Sequence, residues 1–153
     1  MKKTSVCMLL GLLVSLPVLA EGPLVRFDGG IGVQPLRAGP APNIVQGVNP
    51  AGIPWVIARL SADVKTDGRI TVDGRGLLLA GSNGIGTNGG QSVRARLFCG
   101  AVAHDSALVP LQANGDFRID DVLSPLPTNP CDNAVLLIVN AGGSWFAAGI
   151  PNN

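Results

Sequence analysis

His104, Asp105 and Ser106 are consecutive, and they carry the side-chain types of a base, its orienting carboxylate and a nucleophile; His104 is the only histidine in the chain. A catalytic triad is a meeting in space, and neighbours along a strand or turn point in different directions, so the tripeptide is not a triad in itself. His104 therefore has two readings: a general base for a distant serine in a hydrolase, or an exposed loop residue between two strands. A second chemical pattern, Gly84-Ile85-Gly86-Thr87-Asn88-Gly89, matches the G-x-G-x-x-G turn whose amides hold a pyrophosphate at the start of a helix. The adjoining segment, Gln91 to Phe98, alternates with period two. The helix that phosphate binding needs is missing, and an ordinary flexible loop is the expectation.

The remaining polar residues point to surfaces rather than to a reaction. Asp63, Asp67 and Asp73 surround one expected hairpin, and Asp116, Asp120 and Asp121 another. They offer oxygen ligands for a weak calcium site but lack EF-hand spacing, and turn formation with solvated charge accounts for them equally. Arg59, Arg94, Arg96 and Arg118 fall on the non-apolar phase of their strands. If those strands are neighbours, the four guanidinium groups share one sheet face, with Asp63, Asp116 and Asp120 available as cross-strand partners. That face is either a candidate binding surface for an acidic protein or polyanionic glycan, or a solvated surface of balanced charge. Trp145 and Phe146 should point to opposite faces of a strand, as should Trp55 and Val56. Core packing is the expectation for both tryptophans, and six aromatic residues in all give little support to a sugar-stacking platform.

Which chemistry is open to these residues depends on the compartment. Lys2 and Lys3, the apolar run Val6 to Leu16 and the small residues ending at Ala20 have the form of a secretory signal peptide spanning residues 1–20. The run is about 11 residues, short of the roughly 20 that cross a bilayer as a helix, and no transmembrane segment is expected in the mature chain. Cys7 precedes most of the apolar run, unlike the cysteine of a lipoprotein signal. Cys99 and Cys131 remain, an even pair that reads in an exported protein as one disulfide closing a loop of about 33 residues; two buried free thiols are the alternative. With one histidine and those cysteines oxidised, zinc and copper sites of the usual ligand types are excluded, and neither a metal nor a cofactor is expected. Without Lys2 and Lys3 the chain has 9 basic against 10 acidic residues, so no electrostatic attraction to nucleic acid or an anionic membrane arises.

Residues 21–153 have the length of one domain. Its first part, residues 21–54, is an extended Gly/Pro-rich segment with a short edge strand at Leu24 to Phe27 and a long loop from Gly29 to Pro54. The core, residues 55–153, shows period-two alternation. Val56 to Val64 and Arg69 to Asp73 flank Asp67-Gly68 as a hairpin. Leu77 to Ala80 is short enough for a strand buried on both faces, and Val93 to Cys99 alternates again. Ala107 to Leu111 and Phe117 to Val122 flank Asn114-Gly115 as a second hairpin signal. Pro125, Pro127 and Pro130 stiffen the approach to Cys131, and Ala134 to Val139 and Trp145 to Ile150 flank Gly142-Gly143. About seven to nine short strands with no helical window predict an all-β, antiparallel β-sandwich of immunoglobulin-like or Greek-key type, with a small β-barrel as the alternative.

The blocks WVIARL, VDGRGLLLAG, QSVRARLFCG, GDFRIDD, CDNAVLLIV and WFAAGIP, over Trp55 to Pro151, resemble a group of uncharacterised secreted bacterial β-sandwich proteins. Strands of the form V-x-A-x-L and G-x-F-x-I are more loosely similar to transthyretin-like and immunoglobulin-like modules. The first resemblance implies secretion without an activity, the second a sandwich, and neither assigns a site. Taken together the residues predict an exported, non-enzymatic binding or structural module of the bacterial envelope with an unknown protein or glycan partner. The alternatives are a secreted inhibitor of a protease or lysozyme, acting through a stiff loop such as Leu123 to Cys131, and a hydrolase using His104. The oligomeric state is left open.

Overall fold

A computed structural model describes residues 22–36 and 42–152, all of them in strands, turns or irregular segments. The expected signal peptide lies outside the described residues. The strands are β1 Pro23–Gly32, β2 Trp55–Val56, β3 Arg59–Lys65, β4 Arg69–Arg75, β5 Leu78–Leu79, β6 Ser92–Cys99, β7 Val102–Asp105, β8 Val109–Pro110, β9 Phe117–Val122, β10 Val135–Asn140 and β11 Trp145–Pro151. All strand pairings are antiparallel. The fold is all-β, as the alternation requires.

The hairpin β3–β4 forms where Asp67-Gly68 places it. Gly68 has φ +86°, its N–H donates to Lys65 O at 3.0 Å, and the Asp67 carboxylate accepts from Arg69 N at 3.0 Å. On the strands, Leu60, Ala62 and Val64 face inward beside Ile70 and Val72, while Arg59, Ser61, Asp63 and Thr71 face out. β6 keeps the same phase, with Val93, Ala95 and Leu97 buried and Arg94 and Arg96 only half-buried. At Gly74 the phase sets a steric condition. It lies opposite Phe117 of β9, whose ring occupies the space that a Cβ on Gly74 would take.

Pairing runs in the order β7-β6-β10-β11-β1-β3-β4-β9, with β8 joined to the other end of β6, and β2 and β5 make a separate two-stranded ribbon. The main sheet is curled. Its first and last strands are joined beyond β9 by the mutual hydrogen bonds of Asp105 and Ser124, N to O at 2.9 and 3.0 Å. Within the expected all-β class this is the barrel-like form of a packed sheet. The core it encloses includes Phe27, Leu60, Ile70, Leu97, Ile119, Leu123, Leu136 and Ile138.

Several elements differ from expectation. The N-terminal strand is not a short edge strand at Leu24 to Phe27; it runs from Pro23 to Gly32 and lies inside the sheet, between β11 and β3. Glycines at 30 and 32 permit this, since a Cβ on Gly32 would strike the Trp55 carbonyl and one on Gly30 would come 2.8 Å from Leu60 Cβ. Asn114-Gly115 makes a turn, with Gly115 N donating to Gln112 O, but its flanking strands do not pair as one hairpin: β8 pairs with β6 and β9 with β4. Leu77 to Ala80 yields only the two-residue β5, paired with β2. Trp145 and Phe146 are both buried, as is Trp55. Trp55 and Phe146 stack with centroids 4.2 Å apart and planes 15° apart. Trp145 is held by the incoming segment 42–51, its Nε1 donating to Asn43 O at 3.0 Å and its N to Asn49 O at 2.9 Å.

Cys99, at the end of β6, is bonded to Cys131 ahead of β10, with 32 residues of separation. Among the described residues no helix is long and apolar enough to cross a membrane.

Candidate functional site

His104 belongs to β7, opposite Leu97, and is 1% exposed. The expectation of an exposed loop residue is corrected by the tight hairpin at Gly100-Ala101, which pairs Val102 with Cys99 and so turns the histidine to the inside. Its Nδ1 lies 2.7 Å from Pro125 O. A carbonyl only accepts, so Nδ1 is the donor, and Nε2 is buried with no hydrogen-bond partner among the described residues. Ser106 is buried too; its Oγ accepts from Ala95 N at 3.0 Å and donates to Ala107 O at 3.0 Å. Asp105 faces the other way, and its two oxygens take Arg96 Nε and Nη2 at 2.7 Å each. Each member of the tripeptide is thus held by a structural partner of its own.

His104 positions the connector after β9. Leu123 and Pro127 are buried, while Ser124, Pro125 and Leu126 stand between them in solvent. Leu123 N donates to Gly68 O at 2.9 Å, Ser124 exchanges two bonds with Asp105, the Pro125 carbonyl is held by His104, and Cys131 ends the segment in the disulfide. The Ser124–Pro125 and Asn129–Pro130 peptide bonds are cis. Leu126 lies over the β3–β4 turn, where a Cβ on Gly68 would come 2.6 Å from its Cδ2, and it is 64% exposed. Val122 beside it is also exposed. The result is an apolar tip on a segment fixed at both ends and in the middle.

The four arginines all lie on the outward phase of the one curled sheet, but they fall in two separate groups. β3 and β9 flank β4, so Arg59 and Arg118 look out on either side of Asp73; β10, β11 and β1 stand between β3 and β6. On the first surface Arg75 binds Asp73 at 2.7 and 3.1 Å and Asp116 at 3.2 Å, and Arg118 comes within 4.0 Å of Asp73. The hydrogen bonds from Arg75 hold the Asp73 carboxyl below the ordinary carboxylate range, and the same contacts raise Arg75. On the second surface Arg96 is raised mainly by its hydrogen bonds to Asp105. Among the described residues Arg94 has no ion-pair partner, and its Nε is buried without an acceptor.

Five of the six candidate calcium aspartates, all but Asp120, are engaged by other partners. Asp63 pairs with Arg26 at 3.1 Å, Asp67 serves its turn and Arg69, and Asp121 accepts from Ala107 N and Val122 N. Among the described residues no group of three or more His, Cys, Asp or Glu side chains is set to hold a metal ion. Gly84 to Gly89 is a hydrogen-bonded loop, with Thr87 Oγ1 donating to Gly84 O at 2.7 Å, and it leads into β6 rather than a helix. A cleft of about 340 Å³ beside the stacked rings is lined by Trp55, Phe146, Gln91, Asn140 and Ser144 among others. The sequence did not signal the His104 to Pro125 contact; Gly100, between two alternating runs, is the residue that marks the hairpin behind it. No known protein family matches the chain, and no curated protein or solved structure is significantly similar to it.

Proposed function

We propose that the protein is an exported, non-enzymatic binding module that engages a protein partner through the segment Leu123 to Cys131. The observation that carries this reading is the combination of a tip in solvent, Leu126, with a backbone fixed by Gly68, Asp105, His104 and the disulfide. A segment already ordered in the free protein loses little conformational entropy on binding, so apolar contact at its tip converts more fully into affinity. The disulfide fits an oxidising compartment, where such bonds persist. The arrangement of His104, Asp105 and Ser106, each held by a structural partner, gives no support to a hydrolase.

The same stiffness favours one kind of partner, a secreted hydrolase whose cleft the exposed Ser124-Pro125-Leu126 tip enters as an inhibitor. The test is capture of partners from envelope and secreted fractions by the oxidised protein and by Leu126→Asp, with hydrolase assays on whatever is captured. A partner retained by the wild type and lost with Leu126→Asp, at unchanged melting temperature, supports the reading. Equal capture by both proteins refutes the assignment to this tip.

A further inference from the structure

The cleft beside the stacked rings is assembled from parts of the chain far apart in sequence. Trp55 of β2, Leu79 of β5, Asn140 at the end of β10 and Phe146 of β11 meet there, with Gln91 just ahead of β6 and Ser144 in the β10–β11 turn. None of the side chains that line it is charged. Its volume, about 340 Å³, falls within the range of clefts that hold small ligands, about 300–1,000 Å³. Gly52, Ile53 and Gly89 of the lining are exposed, so the cleft is open to solvent. A Cβ on Gly89 would come 3.4 Å from Trp55 Cη2, and glycine there leaves that ring edge uncovered.

One run of hydrogen bonds orders the polar groups. Ser144 N donates to Asn140 Oδ1 at 2.9 Å, which turns Asn140 Nδ2 toward Gln91 Oε1, and Gln91 Nε2 in turn faces Gly89 O. The backbone N–H of Ser144 thus fixes which way the Asn140 amide points. The two links made by side-chain donors are 3.5 and 3.4 Å, long beside the usual N–H···O distance of about 2.9–3.0 Å. A second N–H on Asn140 Nδ2 and a lone pair on Gln91 Oε1 therefore stand next to each other, a donor beside an acceptor. The apolar part is narrow. Trp55 and Phe146 are each 3% exposed and stack on each other, so ring edges rather than an open face line the cleft. Such edges take a small apolar group, not a stacked sugar ring.

We propose that this cleft binds the acetamido group of an N-acetylated amino sugar. A secondary amide has a carbonyl that accepts and an N–H that donates, the complement of Asn140 Nδ2 and Gln91 Oε1, and its methyl fits against the ring edges. A lining without charge suits a neutral ligand, since an ion would lose its water with nothing to replace it. Ser144, Gly52 and Gly89 add a hydroxyl and uncovered backbone, which suit the hydroxyls of a sugar better than the aliphatic stem of an acetylated lysine. The site shares no residue with Leu123 to Cys131 and does not rest on the role assigned to that segment.

The test is a titration of the purified oxidised protein, followed by the NMR signals of the side-chain NH2 groups. The probes are the methyl glycoside of N-acetylglucosamine, methyl glucoside and an acetyl-lysine peptide. Saturable shifts at Asn140 and Gln91 are expected with the acetylated glycoside. Methyl glucoside, which lacks the amide, should bind about tenfold more weakly or worse. So should the acetylated glycoside to Gln91→Leu, which removes the acceptor, and to Asn140→Asp, which keeps the acceptor for Ser144 N and removes the donor. The comparison of the two glycosides uses the wild type alone and decides the matter even where a variant folds poorly. No saturation with the acetylated glycoside, equal binding of methyl glucoside, tighter binding of the acetyl-lysine peptide, or unchanged affinity in either variant overturns the proposal.

Discussion

The residue with the most reactive side chain in the sequence, His104, works here as a donor to a single carbonyl. Replacing it by alanine removes a buried ring and strands the Pro125 oxygen, two costs that together should amount to about 2–4 kcal/mol. We expect His104→Ala to lower the denaturant midpoint by a corresponding amount. Enhanced proteolysis within residues 123–131 should accompany it, because the connector loses its central attachment. Stability equal to wild type would show that the Nδ1 to Pro125 contact contributes nothing. The arginines teach a related point. Their phase on the strands was readable, since Arg59, Arg94, Arg96 and Arg118 all avoid the enclosed side. Their grouping depended on strand order, which no local pattern encodes. Exposed Arg75 and half-buried Asp73 form the better-connected set, yet solvent and salt screen such pairs strongly.

At the scale of elements, local turn chemistry was a reliable guide where a tight turn joins two strands of matching phase. Asp67-Gly68 and Gly142-Gly143 each connect the hairpins expected of them, β3–β4 and β10–β11. Asn114-Gly115 failed as a hairpin because β9 finds a longer partner in β4, whose Gly74 leaves room for Phe117. The proline and glycine content of the first part hid β1, because glycines 30 and 32 weaken a strand by propensity. Here they are the condition for close approach to Leu60 and Trp55. Gly74 gives a sharp test. Gly74→Ala should displace the Phe117 ring and cost about 3 kcal/mol or more, although alanine is normally the better residue in a strand. Combining it with Phe117→Leu should recover part of the loss. A harmless single substitution would mean that β4 and β9 are not in the register described.

For the whole molecule, the Cys99–Cys131 bond ties the β6–β7 hairpin to the start of β10 across the exposed connector. In the chain-entropy account a closure of this length stabilises by about 3–4 kcal/mol. Cys99→Ser, Cys131→Ser and the double variant should therefore lose the same amount, measured by chemical denaturation; additive losses would show that each cysteine also acts alone. The position of β1 sets a further property. It holds β11 on one side and β3 on the other, so Phe27 must find Pro151 as well as Ala62. Until the final strand exists, the N-terminal strand has only half its partners, and the curled sheet cannot close. Contacts so distant in the chain make folding a slow, late event. A growing chain would stay threadable through a narrow channel until its last residues were through, then assemble in one cooperative step.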